Sequence, residues 1–357
     1  MAKVAIMGHG VVGSGVAELL LEHASTIEKR ADERLEIKYI LDLRSFDTLS
    51  YADKFVTEFA PIVNDPEVTI VAEVMGGLHP AYEYVSQCLA ANAFSQISGI
   101  LNGTTNFILT KMIREQMSFE DALALAQQLG YAERNPAADI EGLDACRKIC
   151  ILASIAFGKH IYPTSVRTEG ITRVTLADVE YAADADHVIK LLGRANQSDD
   201  GRVCAMVAPF LVPRTCPLSV VDDVFNAIMV TGDATGDVLF YGKGAGKLPT
   251  ASAVVADMID CAKHPEGGSY PAWADGTAED TVDARQSVYA RYIRVAATEV
   301  QAHSVFGNIQ LLHRAAMPAG EVAFITDPMD DSALERAVEL LRQQNGQLLS
   351  HIRVAAF

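Results

Sequence analysis

The sequence predicts an α/β protein in three parts, and three observations carry that prediction. Short apolar strands alternate with amphipathic helical stretches through the first half of the chain. The first strand runs into a glycine turn and then directly into a helix. Residues 287–357 carry the order strand, short segment, strand, strand, helix, strand. The expected divisions are 1–95, where strand, glycine turn and helix point to a dinucleotide-binding domain; 96–262, an α+β domain whose 242–262 segment carries further glycines; 263–286, a linker; and 287–357, a C-terminal module.

Lys3 to Met7 is the first strand, and it leads into GHGVVG, where Gly8, Gly10 and Gly13 stand at GxGxxG spacing around Val11 and Val12. The run SGVAELLLEH behind it is helical. Glycines let backbone approach a pyrophosphate, and a helix N-terminus offers free N–H groups and a positive dipole. Strand, glycine turn and helix together favour a Rossmann-type dinucleotide site over a plain tight turn. The second strand, Ile37 to Leu41, ends at Asp42 with Arg44 close behind. An acid there suits the ribose of NAD and an arginine the 2′-phosphate of NADP, so NADP or NAD stays open. A solvated turn is the alternative for Asp42. The third strand, Thr69 to Val74, ends in Gly76 and Gly77 before a helix near Pro80 to Ala91.

Ile97 to Leu101 reads as a strand, NGTTN as a polar turn, and Ile108 to Glu115 and Phe119 to Leu129 as helices, the second closed by Gly130. The stretch YAERNPAADIEGLDACRK (Tyr131 to Lys148) gathers the most chemically useful groups. Asn135 and Pro136 forbid a continuous helix through Glu133 and Asp139. From Ile140, apolar residues at three- and four-residue steps (Leu143, Ile149, Leu152, Ile155) predict a helix with Asp139 as N-cap. Asp144 and Lys148 then share a face that becomes apolar at Ile151 and Ile155, which would hold the ammonium in a dry site able to pass a proton. A surface ion pair worth under about 1 kcal/mol is the plain alternative.

Farther on, Val203 to Val212 and Val238 to Tyr241 look like strands. GKGAGK is not a phosphate loop, because Lys247 is followed by Leu248 where Ser or Thr would hold magnesium. Gly242, Gly244 and Gly246 instead precede Pro249 and an apolar helix from Ala251 to Ala262, a glycine nest suited to the cofactor. Lys263 to Asp283 is rich in proline, glycine and acid and reads as a linker, with Trp273 packing on a domain surface. Val288 to Ala296, Ile309 to Ala315, Glu321 to Thr326 and Leu348 to Val354 are the last strands, with a helix over Ser332 to Gln343.

The 357 residues include 50% hydrophobic and 21% charged side chains, an ordinary globular balance. A formal charge of -17 repels nucleic acid and anionic membrane. No apolar run nears the ~20 residues of a membrane span, so a cytoplasmic protein is expected. The six cysteines (Cys88, Cys146, Cys150, Cys204, Cys216, Cys261) show no metal or disulfide spacing and read as buried thiols.

SGILNGTTNFILTKM (Ser98 to Met112), NPAADIEGLDACRK and GKGAGKLPTASAVVADMID (Gly242 to Asp260), in that order, resemble homoserine dehydrogenase. The resemblance implies NAD(P)-dependent interconversion of L-aspartate 4-semialdehyde and L-homoserine, on the aspartate route to threonine, methionine and isoleucine. It implies Lys148 as proton donor, Asp144 as the carboxylate that orients the substrate or its proton, and Glu133 and Asp139 as holding the ammonium of an amino-acid substrate, with Tyr131 beside them. Gly103 and Thr104 would face that substrate, and Gly76, Gly244 and Gly246 the cofactor; residues 96–262 would form the substrate and dimerisation domain, their 242–262 segment returning to the cofactor site beside a shortened 1–95 dinucleotide-binding domain. A homodimer or homotetramer is implied too.

Two departures stand out. The chain runs from Cys88-Leu-Ala-Ala-Asn-Ala-Phe into Ile97-Ser-Gly without the family's T-A-N-K strand and its lysine, which leaves three recognisable strands in the dinucleotide domain. The C-terminal order resembles an ACT module, βαββαβ, yet its first helix is cramped between Thr298 and Asn308 and a D-x-P-G turn is missing. A catalytically impaired relative with a structural or amino-acid-sensing role is therefore the alternative.

Overall fold

The computed structural model describes residues 1–74, 94–233, 236–264 and 273–357. They form two compact units, one from residues 1–74 with 243–264 and the other from the described residues of 94–242 with 273–357.

The first unit is built on a parallel sheet ordered β3-β2-β1-β4, with β1 Ala2–Met7, β2 Leu35–Leu41, β3 Phe55–Val56 and β4 Val68–Glu73. The three expected strands are present, and the short β3 adds to them by pairing with the end of β2. Val4, Ala5 and Ile6 are fully buried, because a central parallel strand is covered on both faces. The helix Val11–Glu22 follows β1, and the helix Lys247–Lys263 packs on it through Val16, Ala17, Leu20, Ala251, Val255 and Met258. Gly15 permits that approach: a Cβ there would lie 3.0 Å from the Ala251 Cβ. The second helix starts at Lys247, ahead of the expected Pro249, because Gly246 turns the chain at φ 124. Gly76, Gly77 and the expected helix over Pro80 to Ala91 lie outside the described residues.

The second unit has one large mixed sheet, ordered β10-β9-β5-β7-β8-β14-β11-β13-β12, with β6 beside β8. Its first strands are β5 Phe94–Ile100, β6 Arg167–Thr168, β7 His187–Gln197, β8 Val203–Pro213, β9 Phe225–Gly232 and β10 Gly236–Lys243. β5 lies antiparallel between β7 and β9. Neither β7 nor β9 was among the strands expected, nor was the helix Leu176–Asp184 that precedes β7. HVIKLLGRANQ carries Lys190 and Arg194, which in a strand would ordinarily face water. Both are buried, at 0% and 5% exposure; Arg194 donates from Nη2 to Gln96 Oε1 and to the Ala356 carbonyl, while its buried Nη1 has no hydrogen-bond partner among the described residues. The Lys190 Nζ donates to the Val221 carbonyl, to Asn106 Oδ1 and to Asp222 Oδ1.

The helices Gly103–Glu115 and Leu143–Phe157 flank β5 and β7 and carry the candidate site. Asn102, at the end of β5, is the N-cap of the first, its side chain accepting from the Thr105 N–H; NGTTN is thus the cap and opening turn of a helix that begins five residues before its expected start at Ile108. The second differs from expectation at its start. Asp139 is not its N-cap. Pro136 to Ile140 makes a separate short turn, and Gly142, at φ 82, breaks it before a new helix begins at Leu143. Cys146 and Cys150 are buried in that helix as expected, and Cys204 and Cys216 are buried as well. Cys261 is exposed, contrary to expectation, because it lies on the uncovered side of the helix Lys247–Lys263; Cys88 lies outside the described residues.

Residues after 273 are tied down rather than free: Trp273 donates from Nε1 to His160 Nδ1 at 2.9 Å, and Val282 N–H to the Val203 carbonyl at 2.9 Å. The C-terminal elements are β11 Arg291–Ala296, helix Glu299–Phe306, β12 Ile309–Leu312, β13 Glu321–Thr326, helix Asp331–Gln343 and β14 Gln347–Val354. They keep the expected βαββαβ order. The segment that looked cramped is a complete eight-residue helix, closed at its start by a reciprocal Thr298–Gln301 capping box. β14 joins β8 in parallel at Arg353↔Phe210 and Val354↔Leu211, which continues the sheet. No helix among the described residues is long and apolar enough to cross a membrane.

Candidate functional sites

The glycine turn of the first unit depends on glycine at two of its positions. Gly8 sits at φ 97, and its N–H donates to the Leu41 carbonyl at 2.8 Å. A Cβ on Gly13 would overlap the Gly8 carbonyl, so the turn closes only with glycine there. At Gly10 an added Cβ would meet nothing within 4 Å, so the backbone faces open space. Gly10 is the N-cap of the helix Val11–Glu22 with no side-chain cap hydrogen bond among the described residues, so Val11, Val12 and Gly13 carry the first N–H groups, which no intrahelical bond satisfies.

Asp42 ends β2 beside this turn. Its Oδ2 accepts the His9 N–H at 2.9 Å, and Arg44 grips both of its oxygens at 2.9 and 3.0 Å. The Arg44 hydrogen bonds hold the Asp42 carboxyl well below the ordinary carboxylate range. Arg44 also donates to the His9 carbonyl at 3.0 Å while staying 62% exposed. His9, unremarked in the sequence, is 6% exposed and packs against Phe46 and Phe55; burial lowers its pKa. Gly246 opens the helix that packs on this one, and Gly244 lies in the turn before it.

In the second unit, Lys148, Asp144 and Asp139 come together around the end of β5. The Lys148 Nζ donates to Asp144 Oδ2 at 2.8 Å and to the Leu101 carbonyl at 3.0 Å. The two side chains are 33% and 23% exposed, so the pair is neither bathed in bulk water nor in the dry stripe expected from Ile151 and Ile155. That stripe turns inward past the lysine, whose tip reaches back to the strand end. Asn102, which sequence reasoning did not single out, donates from Nδ2 to Asp139 Oδ1 at 2.7 Å and to Asp144 Oδ2 at 2.8 Å. Burial raises the Asp139 pKa against the opposing Asn102 hydrogen bond, and Asp144 adds to the rise.

Thr104 Oγ1 donates to the Tyr131 carbonyl at 2.6 Å, and the Tyr131 ring meets Phe107 edge-on at 5.0 Å. The turn at Gly103–Thr104 is thereby fixed next to Tyr131. Gly103 is required there, since a Cβ would come within 2.8 Å of the Val224 carbonyl. Glu133 is exposed, and its backbone carbonyl accepts from Gln127 at 3.0 Å. Chemically, this cluster offers one ammonium, anchored yet reachable, and carboxylates arranged about it.

Comparison with known proteins gives the same family throughout. The family model described as homoserine dehydrogenase matches residues 80–259. The homoserine dehydrogenase of Synechocystis is 36% identical over 317 residues, covering 72% of each chain. Among solved structures, a homoserine dehydrogenase from Thiobacillus denitrificans superposes with a TM-score of 0.81 at 29% identity, over 99% of this chain and 98% of that one. A hyperthermophilic archaeal homoserine dehydrogenase mutant, in complex with NADPH, shares the fold at a TM-score of 0.56 and 22% identity, over 72% of this chain and 97% of that one. With the glycine turn, the Lys148 cluster and the whole-length structural likeness in agreement, this chain belongs to the homoserine dehydrogenase family.

Proposed function

We propose that the chain interconverts L-aspartate 4-semialdehyde and L-homoserine with NADP or NAD, and that Lys148 is the proton donor and acceptor. The observation that carries this reading is the geometry at Lys148. Two of the three N–H groups of its ammonium are held, by Asp144 and by the Leu101 carbonyl, while a third of the side chain stays exposed. The remaining N–H can meet a substrate oxygen. During reduction, Nζ would pass a proton to the alkoxide that forms at the aldehyde oxygen; during oxidation the neutral amine would take one from the hydroxyl. Asp144 orients the ammonium and stabilises its charge. Asp139, Glu133 and Tyr131 would hold the ammonium of the amino-acid substrate, and Gly103 and Thr104 would supply the turn it lies against.

The residues of the glycine turn fit a dinucleotide: open backbone at Gly10 and an uncapped helix start would take the pyrophosphate, and Asp42 with Arg44 the adenosine ribose. When bound, the cofactor supplies or accepts the hydride. Gly76, Gly244 and Gly246 would complete its cradle. The C-terminal βαββαβ elements would form an ACT-like module, and copies of the chain would assemble as a homodimer or homotetramer in the cytoplasm.

The test is direct. With homoserine and NADP⁺ or NAD⁺, the intact chain should reduce the cofactor, and it should not do so with serine or threonine. Absence of homoserine-dependent reduction with either cofactor refutes the reading and leaves an impaired family member.

A further inference from the structure

Asn102 does two jobs with one amide, and they can be separated. Its Oδ1 faces the helix: it accepts the Thr105 N–H at 2.9 Å and the Thr105 hydroxyl at 3.0 Å, an ordinary N-cap. Its Nδ2 faces the other way and donates to Asp139 and to Asp144, at 2.7 and 2.8 Å. An N-cap needs only the oxygen. Serine, threonine or aspartate would serve as well at this position, and none of them supplies two donors on one nitrogen.

The surroundings hold that nitrogen in place. Asn102 is 6% exposed and its neighbour Leu101 3% exposed. The Leu101 side chain fills space left by two glycines paired across β5 and β7: Cβ atoms on Gly99 and Gly193 would come within 2.6 and 2.8 Å of its methyl groups. The same residue offers its carbonyl to Lys148. One strand end therefore anchors the lysine through a carbonyl and both carboxylates through an amide.

We infer that Asn102 is a positioning residue for the reaction, its amide clamping Asp139 to Asp144 so that the two carboxylates stay side by side and aim at substrate and at Lys148. Without a donor between them, two carboxylates this near repel, and one takes up a proton or swings away. The charged groups that bear on Asp139 are Asp144 and Lys148 on the helix that follows and Glu133 on the loop before it; Asn102 is the neutral donor among them. This inference rests on the function proposed above.

The test uses the full chain with Asn102→Asp, which keeps the capping oxygen and the side-chain shape and removes the donor, and Asn102→Ser, which keeps a cap and adds no charge. Both variants should fold with native circular dichroism. Homoserine oxidation should fall at least tenfold in kcat, with KM for homoserine rising as well, and the acid limb of kcat/KM should move to higher pH. Carboxyl-carbon NMR should show Asp139 titrating at higher pH in Asn102→Ser than in the parent. A kcat within twofold of the parent and an unmoved Asp139 titration would overturn the inference and leave Asn102 a helix cap alone. The NMR titration needs no turnover. If the parent proves inactive, the functional reading fails while an Asp139 titration that does or does not move still decides whether the amide clamps the pair.

Discussion

Lys190 offers a quantitative test of how the second unit holds its site. Its side chain is fully buried in β7, and burial pulls its pKa down despite the nearby Asp222 carboxylate. Replacing it by methionine keeps an unbranched stem of similar length and removes the charge. The consequences for its three acceptors differ. The Val221 carbonyl keeps a hydrogen bond from Asn106 Nδ2 at 3.0 Å. Asp222 is 30% exposed and keeps Arg114 at 2.9 Å. Only Asn106 Oδ1 is left buried without a donor. One unsatisfied buried acceptor costs about 1–3 kcal/mol, offset in part because an ammonium no longer has to be desolvated. Lys190→Met should therefore lose about 1–2 kcal/mol. Lys190→Ala leaves the same orphan plus a cavity, and should lose at least about 2 kcal/mol more. Urea denaturation of the two variants, followed by circular dichroism, measures the difference. Equal losses would refute this reasoning, since they would show that the charge itself, and not packing with one orphaned oxygen, sustains the site.

Other consequences follow from single groups. Burial places the folded Asp139 carboxyl above its ordinary value of 3.8, so folding favours its protonated form; the associated stability is full below that value and is lost as pH rises through the folded pKa. Asp139→Asn should thus raise Tm at pH 7, leave it unchanged near pH 3, and raise KM for homoserine, as thermal melts and kinetics at the two pH values will show. At Gly13, alanine would press on the Gly8 carbonyl and force the turn open. NADP⁺ binding by Gly13→Ala, followed by fluorescence titration, should weaken at least tenfold; unchanged affinity would mean the turn does not hold the cofactor.

Some of this was legible in the sequence and some was not, for identifiable reasons. β1, the glycine turn and the helix after it follow from local pattern, because each element's signal lies within its own residues. The Asp144–Lys148 pair follows from the four-residue step of a helix. The start of that helix did not, because Asp139 is as good a cap on paper as Gly142 is a break; the left-handed turn at Gly142 also sits where an added Cβ would come within 3.2 Å of Thr168 and Val207, which lie far along the chain. β7 was hidden by its own buried charges: a lysine and an arginine inside a strand look solvated until their partners at Val221, Asp222 and Gln96 are known. Asn102 was the most consequential omission. Its place before Gly-Thr-Thr announced a helix cap, and nothing local could announce that its amide meets carboxylates 37 and 42 residues away.

The central claim is that the Lys148 ammonium, steered by Asp144, moves the proton in homoserine oxidation. Steady-state kcat for homoserine and NADP⁺, measured on the parent chain and on Lys148→Ala shown by its melting curve to be folded, tests it most directly. The account predicts a loss of about 10²–10⁴-fold in kcat for the variant. A Lys148→Ala protein that turns over within threefold of its parent would contradict it.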